Sequence, residues 1–361
     1  MSHTSASLPI LAVAPHISGG GSVTRTMLIV QAALVPATLY GFWLYGWPAI
    51  FLFLLTVGIC VLFEFFCLRL AGKAPAPHLL DGSAVLTGWL LALTLPPWAP
   101  WWIAFVGALL AIVFGKHVFG GIGQNPFNPA MVARVALLVS FPIPMTLWVA
   151  PMPITTANAP GIIEGLRIML GSLPIPDAVT SATLLGHAKT ELSRGVDLLH
   201  SLGSGEGAMV SMMGARAGSL GETASWLILG GGLTMLFLGV ISWHIPFAML
   251  AGVALPAVIG HASDAARYLD VTSHLLSGGV MLGAFFIATD YVTSPSTMPG
   301  KLLFGFGCGF LTYVIRTWGG YPEGVAFAVL LMNTLTPVID RFTMPRILGR
   351  DRRGQPLTIK S

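Results

Sequence analysis

The sequence predicts an all-α integral membrane protein of about ten transmembrane helices. Charged residues make up only 9% of the 361-residue chain, hydrophobic residues make up 55%, and the mean hydropathy is +0.81. Soluble domains carry about 25% charged residues, so this chain has too few to cover a surface in water. A helix needs about 20 apolar residues to cross the hydrocarbon core, and the chain has room for roughly ten such spans.

The predicted spans follow the apolar runs and form two groups of five. The first group covers 26–46, 49–69, 80–96, 99–119 and 127–149, and the second covers 224–242, 244–261, 275–289, 300–317 and 324–340. Gly and Pro interrupt several runs, which membrane helices tolerate where neighbours satisfy the freed backbone groups. The stretch FPIP at 141–144 must kink or end its helix. Cys60, Cys67 and Cys308 lie in apolar runs without metal-site spacing, so we predict small buried side chains.

Positive charge predicts how the chain is oriented. Cytoplasmic loops of membrane proteins are enriched in Lys and Arg. Basic residues occur before the first span, in three short connections and in the tail: Arg25, Arg69, Lys73, Lys116, Lys301, Arg341, Arg346, Arg350, Arg352, Arg353 and Lys360. We therefore expect a cytoplasmic N-terminal segment (1–24), a first membrane repeat (25–149), an external insertion (150–223), a second membrane repeat (224–340) and a basic cytoplasmic tail (341–361). The formal net charge of +4 does not indicate nucleic acid, because the basic residues form no single patch.

The two groups of spans resemble each other. TGWLLALT at 87–94 and LGAFFIAT at 282–289 have Gly and Thr at the same spacing, and Lys116 followed by a Gly pair and Pro126 is matched by Arg316, a Gly pair and Pro322. An odd number of spans per group inverts the second copy, and inverted repeats commonly form a site near the midplane. Chance similarity between glycine-rich apolar helices is the alternative.

The segment GGIGQNPFNPAM at 120–131 contains two Asn-Pro steps between two predicted spans. Asn125 and Asn128 offer amide donors and acceptors that suit the hydrogen-bonding edge of an isoalloxazine ring. They are also good helix caps, with Pro favoured in the first turn. The two roles can coexist.

Glu64 and Arg134 lie inside predicted spans and Asp290 lies at the end of one, where charge is costly and often functional. Glu64 and Arg134 are interpreted as a pair, with Glu64 carrying a proton or cation and Arg134 steadying a phosphate or flavin. A structural ion pair, or Arg134 reaching to an interface, is the alternative. Asp290 is either an ion or proton ligand or the cap of the next turn.

The insertion contains DAVTSAT at 177–183, a string that also fits an exposed loop rich in turn residues. It resembles the flavin-attachment motif Asp-x-x-Ser/Thr-Gly/Ser-Ala-Thr/Ser, in which the last hydroxyl carries FMN through a phosphodiester. The resemblance makes Thr183 the attachment residue and Asp177 and Ser181 part of the motif. Ser181 stands where Gly is usual.

Four motifs in order, at 120–131, 177–183, 288–290 (ATD) and 321–327 (YPEGVAF), resemble the D subunits of Rnf ion-translocating electron-transport complexes. The resemblance extends from about Arg25 to Asp340. The B subunits of sodium-pumping NADH:quinone reductases are close relatives, but they normally have a longer N-terminal extension, so the Rnf family is the better match.

The resemblance implies a urea-transporter-like fold of two inverted five-helix repeats in the bacterial inner membrane, with Thr183 in the periplasm. It implies covalent FMN on Thr183, attached by a flavin transferase, and a second, non-covalent riboflavin-type flavin. Asn125 and Asn128 are candidates for contacting that second flavin. It further implies that the A, B, C, E and G subunits of the Rnf complex are partners, with electron transfer between ferredoxin and NAD. The implied coupled movement is of Na⁺ or H⁺, for which Glu64 and Asp290 are path candidates.

Two other classes of function remain. A passive solute channel could use the same inverted-repeat fold without redox chemistry, and a purely structural assembly protein would also lack flavin. Neither explains an external insertion with Asp177 and Thr183.

Overall fold

The computed structural model describes residues 22–173, 183–194, 217–321 and 323–345. Its helices are α1 Val23–Leu70, α2 Pro75–Leu79, α3 Ser83–Thr94, α4 Trp101–Leu109, α5 Pro129–Ser140, α6 Pro142–Thr146, α7 Ile162–Met169, α8 Leu184–Ser193, α9 Ser225–Phe237, α10 His244–Ser263, α11 Val271–Leu276, α12 Val280–Leu282, α13 Met298–Trp318 and α14 Val325–Thr343. Two π-helical segments, π1 (Leu110–His117) and π2 (Gly283–Ile287), continue α4 and α12. The described part of the chain is therefore built from helices, as the sequence predicts.

Four of these helices, α1, α10, α13 and α14, are long and apolar enough to cross a membrane. Shorter apolar helices cover Ser83–Thr94, Trp101–His117, Pro129–Ser140 and Ser225–Phe237. Each of these lies within one of the predicted spans. Several predicted spans are interrupted, because Pro or Gly ends the helix early; α5 ends at Ser140, directly before the 141–144 stretch.

Helix α1 contains the first two predicted spans and changes direction at Gly46. Gly46 has φ 70° and ψ −158°, a conformation essentially restricted to glycine, and Pro48 follows it. The predicted boundary between 46 and 49 is thus a break within one continuous helical stretch.

The surface of the bundle is apolar and part of its interior is polar. Large apolar side chains on the spanning helices are exposed, among them Leu54, Phe247 and Ile259 at 59%, 62% and 69%. Glu64 and Arg134, by contrast, are buried. An apolar exterior around buried charge is expected when lipid, rather than water, covers the helices.

Glycines let the second group of helices approach closely. A Cβ on Gly305 would lie 2.6 Å from the carbonyl oxygen of Ile245, and a Cβ on Gly309 would meet that of Met249. Gly252 of α10 faces the carbonyl of Phe306 in the same way. Small residues four apart are common where membrane helices pack backbone to backbone, so α10 and α13 form one tight pair.

Loops gather at two ends of the bundle. At the end that we call the Gly82 end, Gln31 Nε2 donates to Gly82 O (2.8 Å) and Lys73 Nζ to Gly120 O (3.5 Å). At the opposite end, the Tyr45 end, Trp98 Nε1 donates to Tyr45 O (2.9 Å) and the Tyr45 hydroxyl donates to Gly218 O (3.0 Å). These contacts fix which connections share a side.

Candidate functional site

A cavity lies between the two groups of helices, towards the Gly82 end. Its walls are mostly apolar and come from α1, α3, π1, the 122–130 segment, α9 and π2 with the turn after it. The polar or charged residues of its lining are Thr26, Ser83, Thr87, Lys116, Asn125, Asn128, Thr289, Asp290 and Tyr291. Sites for small ligands and cofactors commonly combine apolar walls with a few polar groups, as this cavity does.

Both candidate asparagines line this cavity and are buried. Asn128 caps α5: its Oδ1 accepts from the backbone N–H groups of Ala130 (3.1 Å) and Met131 (3.3 Å). Its Nδ2 donates to Ile287 O at 3.5 Å, which links α5 to π2. Asn125 Nδ2 donates to Phe127 O at 2.9 Å. The capping role and a position on the cavity wall therefore coexist.

Each group of helices contributes one π-helical segment to the cavity. π1 carries Lys116, and π2 carries Phe285 and Phe286. A π-helical turn shifts the side chains that follow it relative to an α-helix and is frequent at functional sites. The apolar spacing of the sequence did not reveal either segment.

Glu64 pairs with Lys116, and the predicted pairing with Arg134 is wrong. Lys116 Nζ lies 2.8 Å from Glu64 Oε1 and donates to Ser83 Oγ at 2.9 Å, and all three side chains are buried. His117 Nε2 lies 3.0 Å from Glu64 Oε2. The reason is position: π1 packs beside α1, so Lys116 reaches Glu64. Lys116, expected in a cytoplasmic connection, is instead buried at the end of π1.

Arg134 faces the other end of the molecule. Its guanidinium lies 3.6 Å from Glu323 Oε2 and above the ring of Trp148, 5.8 Å from the ring centre. Burial, and after it the neighbouring Glu323 carboxyl, raises the pKa of Glu222 well above its usual value. Arg134 thus belongs to a cluster with Glu222 and Glu323 and does not line the cavity.

Asp290 lies on the cavity wall and caps a turn. Its Oδ1 accepts from Val292 N and its Oδ2 from Thr293 Oγ1, both at 3.3 Å. These bonds match the capping interpretation, and the cavity position keeps Asp290 within reach of a bound group.

Thr183 begins α8. Its Oγ1 accepts from Gly186 N at 3.1 Å, and the residue is only 5% exposed. Asp177 and Ser181, the other candidates of this motif, lie outside the described residues.

Lys189 attaches α8 to the Tyr45 end of the bundle. Its ammonium donates to the carbonyls of Ile315 (3.4 Å), Gly319 (2.6 Å) and Tyr321 (2.6 Å) at and beyond the end of α13. Burial, and after it the positive charge of Arg316, lowers the pKa of Lys189. A lysine on the free carbonyls of a helix end is a favourable arrangement, so α8 is held in one position.

Comparison with known proteins decides the family. The model of the NQR2, RnfD, RnfE family matches residues 10–349. The chain is 53% identical over 336 residues to the D subunit of the ion-translocating oxidoreductase complex of Stutzerimonas stutzeri, covering 93% of this chain and 95% of the relative. It is 47% identical over 348 residues to the protein of the same name from Halorhodospira halophila, covering 96% and 98%.

The chain belongs to the NQR2, RnfD, RnfE family. Within that family its similarity is to proteins named as D subunits, which confirms the recognition made from the four motifs. Those motifs fall on structurally distinct places in this family member: the 120–131 and 288–290 motifs line the cavity, and the end of the 177–183 motif begins α8 at the Tyr45 end.

The sequence did not indicate that Glu64 is grouped with Lys116, Ser83 and His117 beside the cavity. A weak signal was present, since Lys116 is a charge inside the apolar run 99–119. Its partner could not be predicted, because that depends on which face of π1 packs on α1.

Proposed function

We propose that this chain is the membrane-embedded flavoprotein subunit of an ion-translocating oxidoreductase complex. Its similarity to proteins named as D subunits supports membership in such a complex. The observation that carries the flavin assignment is the pair of sites at opposite ends of one bundle: the helix-capping hydroxyl of Thr183 and the cavity lined by Asn125 and Asn128. Bound flavins would supply electron acceptance and donation; the chain supplies position, charge and exclusion of water.

The Thr183 site fits a phosphodiester-linked FMN. The N-terminus of a ten-residue helix presents free backbone N–H groups and a partial positive charge, both of which favour a phosphate. Lys189 holds that helix against the end of α13. Because Thr183 is buried, attachment by the flavin transferase has to precede the docking of α8.

The cavity fits a second, riboflavin-type flavin. Phe285 and Phe286 offer aromatic surface, and Asn125 and Asn128 offer amide groups for an uncharged ring edge that both donates and accepts hydrogen bonds. The apolar part of the lining lowers the local dielectric, which strengthens polar contacts with a bound ring. Arg134, which lies away from this cavity, is not a contact in this proposal.

The topology that we propose has ten spans in two inverted repeats, like urea transporters, with the Gly82 end in the cytoplasm of a bacterial inner membrane. Lys116 and Arg316, the matched basic residues of the two repeats, lie at opposite ends of the bundle, as inversion requires. Thr183 would then be periplasmic. The A, B, C, E and G subunits of the complex would handle ferredoxin and NAD.

Coupling to Na⁺ or H⁺ movement would require that charge added in the cavity change the affinity for a cation nearby. Glu64 and Asp290 are the candidates, since Asp290 lines the cavity and Glu64 contacts a residue that does. Replacing each with its amide in the intact complex should reduce ion transport more than electron transfer.

The test of the flavin assignment is in-gel flavin fluorescence after denaturing electrophoresis. The full chain is produced with an active flavin transferase as wild type, Thr183→Val and the control Thr190→Val, whose residue lies exposed on the same helix. We expect fluorescent bands for the wild type and Thr190→Val and a dark band for Thr183→Val. A dark wild-type band, with the transferase active on another substrate, would contradict the proposal and favour a channel or a structural protein.

A further inference from the structure

Lys116 occupies an unusual position for a lysine in a membrane bundle. It is 3% exposed, it lines the cavity, and its ammonium donates to Glu64 and Ser83. Burying a lysine is costly unless the charge is paired, and the Glu64 carboxylate supplies that pairing. Charge balance alone, however, does not require this lysine to line a cavity.

The hydrogen bonds of Lys116 are incomplete within the described part of the chain. An ammonium has three N–H donors, and Nζ has two acceptors there, Glu64 Oε1 and Ser83 Oγ. One donor remains for a group in the cavity. The two existing bonds fix the ammonium, so a third bond costs little additional side-chain entropy.

We propose that Lys116 is a ligand-binding residue of the cavity, donating its third N–H to a carbonyl or ring nitrogen of the bound flavin. Asn125 and Asn128 come from the adjacent 122–130 wall, so the three side chains present donors to one flat, acceptor-rich ligand. Glu64 and Ser83 are positioning residues, which act through Lys116. This inference rests on the proposed function of the cavity.

The ammonium would also change the midpoint potential of a flavin bound in the cavity. A positive group beside the electron-rich side of a flavin favours its reduced form, and this influence is larger in a low dielectric than in water. Lys116 would therefore raise the midpoint potential of the cavity flavin relative to a variant that lacks the charge.

The experiment is a riboflavin titration of the full chain in detergent, after removal of non-covalent flavin, followed by quenching of riboflavin fluorescence. The variants are Lys116→Met, Lys116→Arg, the double variant Glu64→Gln with Lys116→Met, and the control Lys73→Met. Lys73 is an exposed lysine of the same end that does not line the cavity. Each variant is first shown to be monodisperse by size-exclusion chromatography.

We expect riboflavin to bind about ten- to a hundredfold more weakly to Lys116→Met, the loss typical of a hydrogen bond from a charged donor. Lys116→Arg should recover part of the affinity, and Lys73→Met should bind like the wild type. The midpoint potential of bound riboflavin should be lower in Lys116→Met.

The double variant separates ligand binding from charge balance, because it removes both members of the buried ion pair. If Lys116 only neutralises Glu64, the double variant binds riboflavin as the wild type does, and the inference is overturned. Equal weakening in the single and double variants supports it. A wild type that binds no riboflavin overturns it together with the cavity assignment, while the covalent flavin on Thr183 is decided separately by the gel experiment.

Discussion

Asn128 combines two tasks in one side chain. Its carboxamide oxygen caps α5, and its nitrogen reaches the carbonyl of Ile287 across the cavity wall. The sequence indicated the cap from the Asn-Pro step, since Asn is a good N-cap and Pro suits the first turn. The link to π2 could not be predicted, because it joins residues 159 positions apart.

Two substitutions at this position separate the tasks. Asn128→Ser retains a capping oxygen, so Asn128→Ala should be about 1 kcal/mol less stable than Asn128→Ser because only the Ala variant loses the cap. Both lack the amide nitrogen, so both should bind riboflavin more weakly. Thermal unfolding in detergent and the riboflavin titration measure the two effects. Equal unfolding temperatures for the Ser and Ala variants would argue against the cap.

The partners of the buried charges were the feature of the site that the sequence predicted least well. Glu64, Arg134 and Asp290 are all buried or half-buried in the bundle, as charges inside apolar runs suggest. Their partners were not predictable, because Glu64 meets π1 and Arg134 meets Glu323 through tertiary packing.

At the scale of elements, the sequence predicted helix breaks better than helix type. Pro142 ends α5 as expected, since proline removes a backbone donor and clashes with the preceding turn. The π-helical character of Leu110–His117 and Gly283–Ile287 left no comparable signal, because no single residue type specifies a π-helical turn. Both segments border the cavity, so the unpredicted elements are those that shape the site.

The bend in α1 gives a test at this scale. Gly46→Ala forces a Cβ into a backbone conformation essentially restricted to glycine and should destabilise the protein by about 1–3 kcal/mol. Gly58→Ala is the matched control: Gly58 lies in the same helix with open space around its Cα, so alanine should stabilise the helix by up to about 1 kcal/mol. Thermal unfolding in detergent should therefore shift in opposite directions. If the unfolding temperatures of both variants shifted in the same direction, alanine at position 46 would not strain the bend.

For the whole molecule, hydropathy predicted the spanning class, and positive charges predicted which connections share a side. The contacts agree with that grouping: the 73 and 120 connections meet at the Gly82 end, and the 189 and 319 regions meet at the Tyr45 end. Lys116 was expected in a cytoplasmic connection, but it is buried beside Glu64 at the end of π1 and does not lie in a connection. Contacts within the chain show which segments share an end of the bundle. A labelling experiment shows which side of the membrane each end faces.

The orientation is testable with two variants that each add one exposed cysteine. In a Cys67→Ser background, where Cys60 and Cys308 are buried, Thr190→Cys and Lys73→Cys each add one thiol at an exposed position on opposite ends. The tail and connection charges predict that a membrane-impermeant maleimide labels Thr190→Cys in intact cells and Lys73→Cys only after permeabilisation. Labelling of both in permeabilised cells is the control for accessibility. The reverse pattern in intact cells would put α8, and Thr183 with it, in the cytoplasm. The cavity would then face the periplasm, and electrons would have to cross this protein in the direction opposite to the one that the proposed orientation implies.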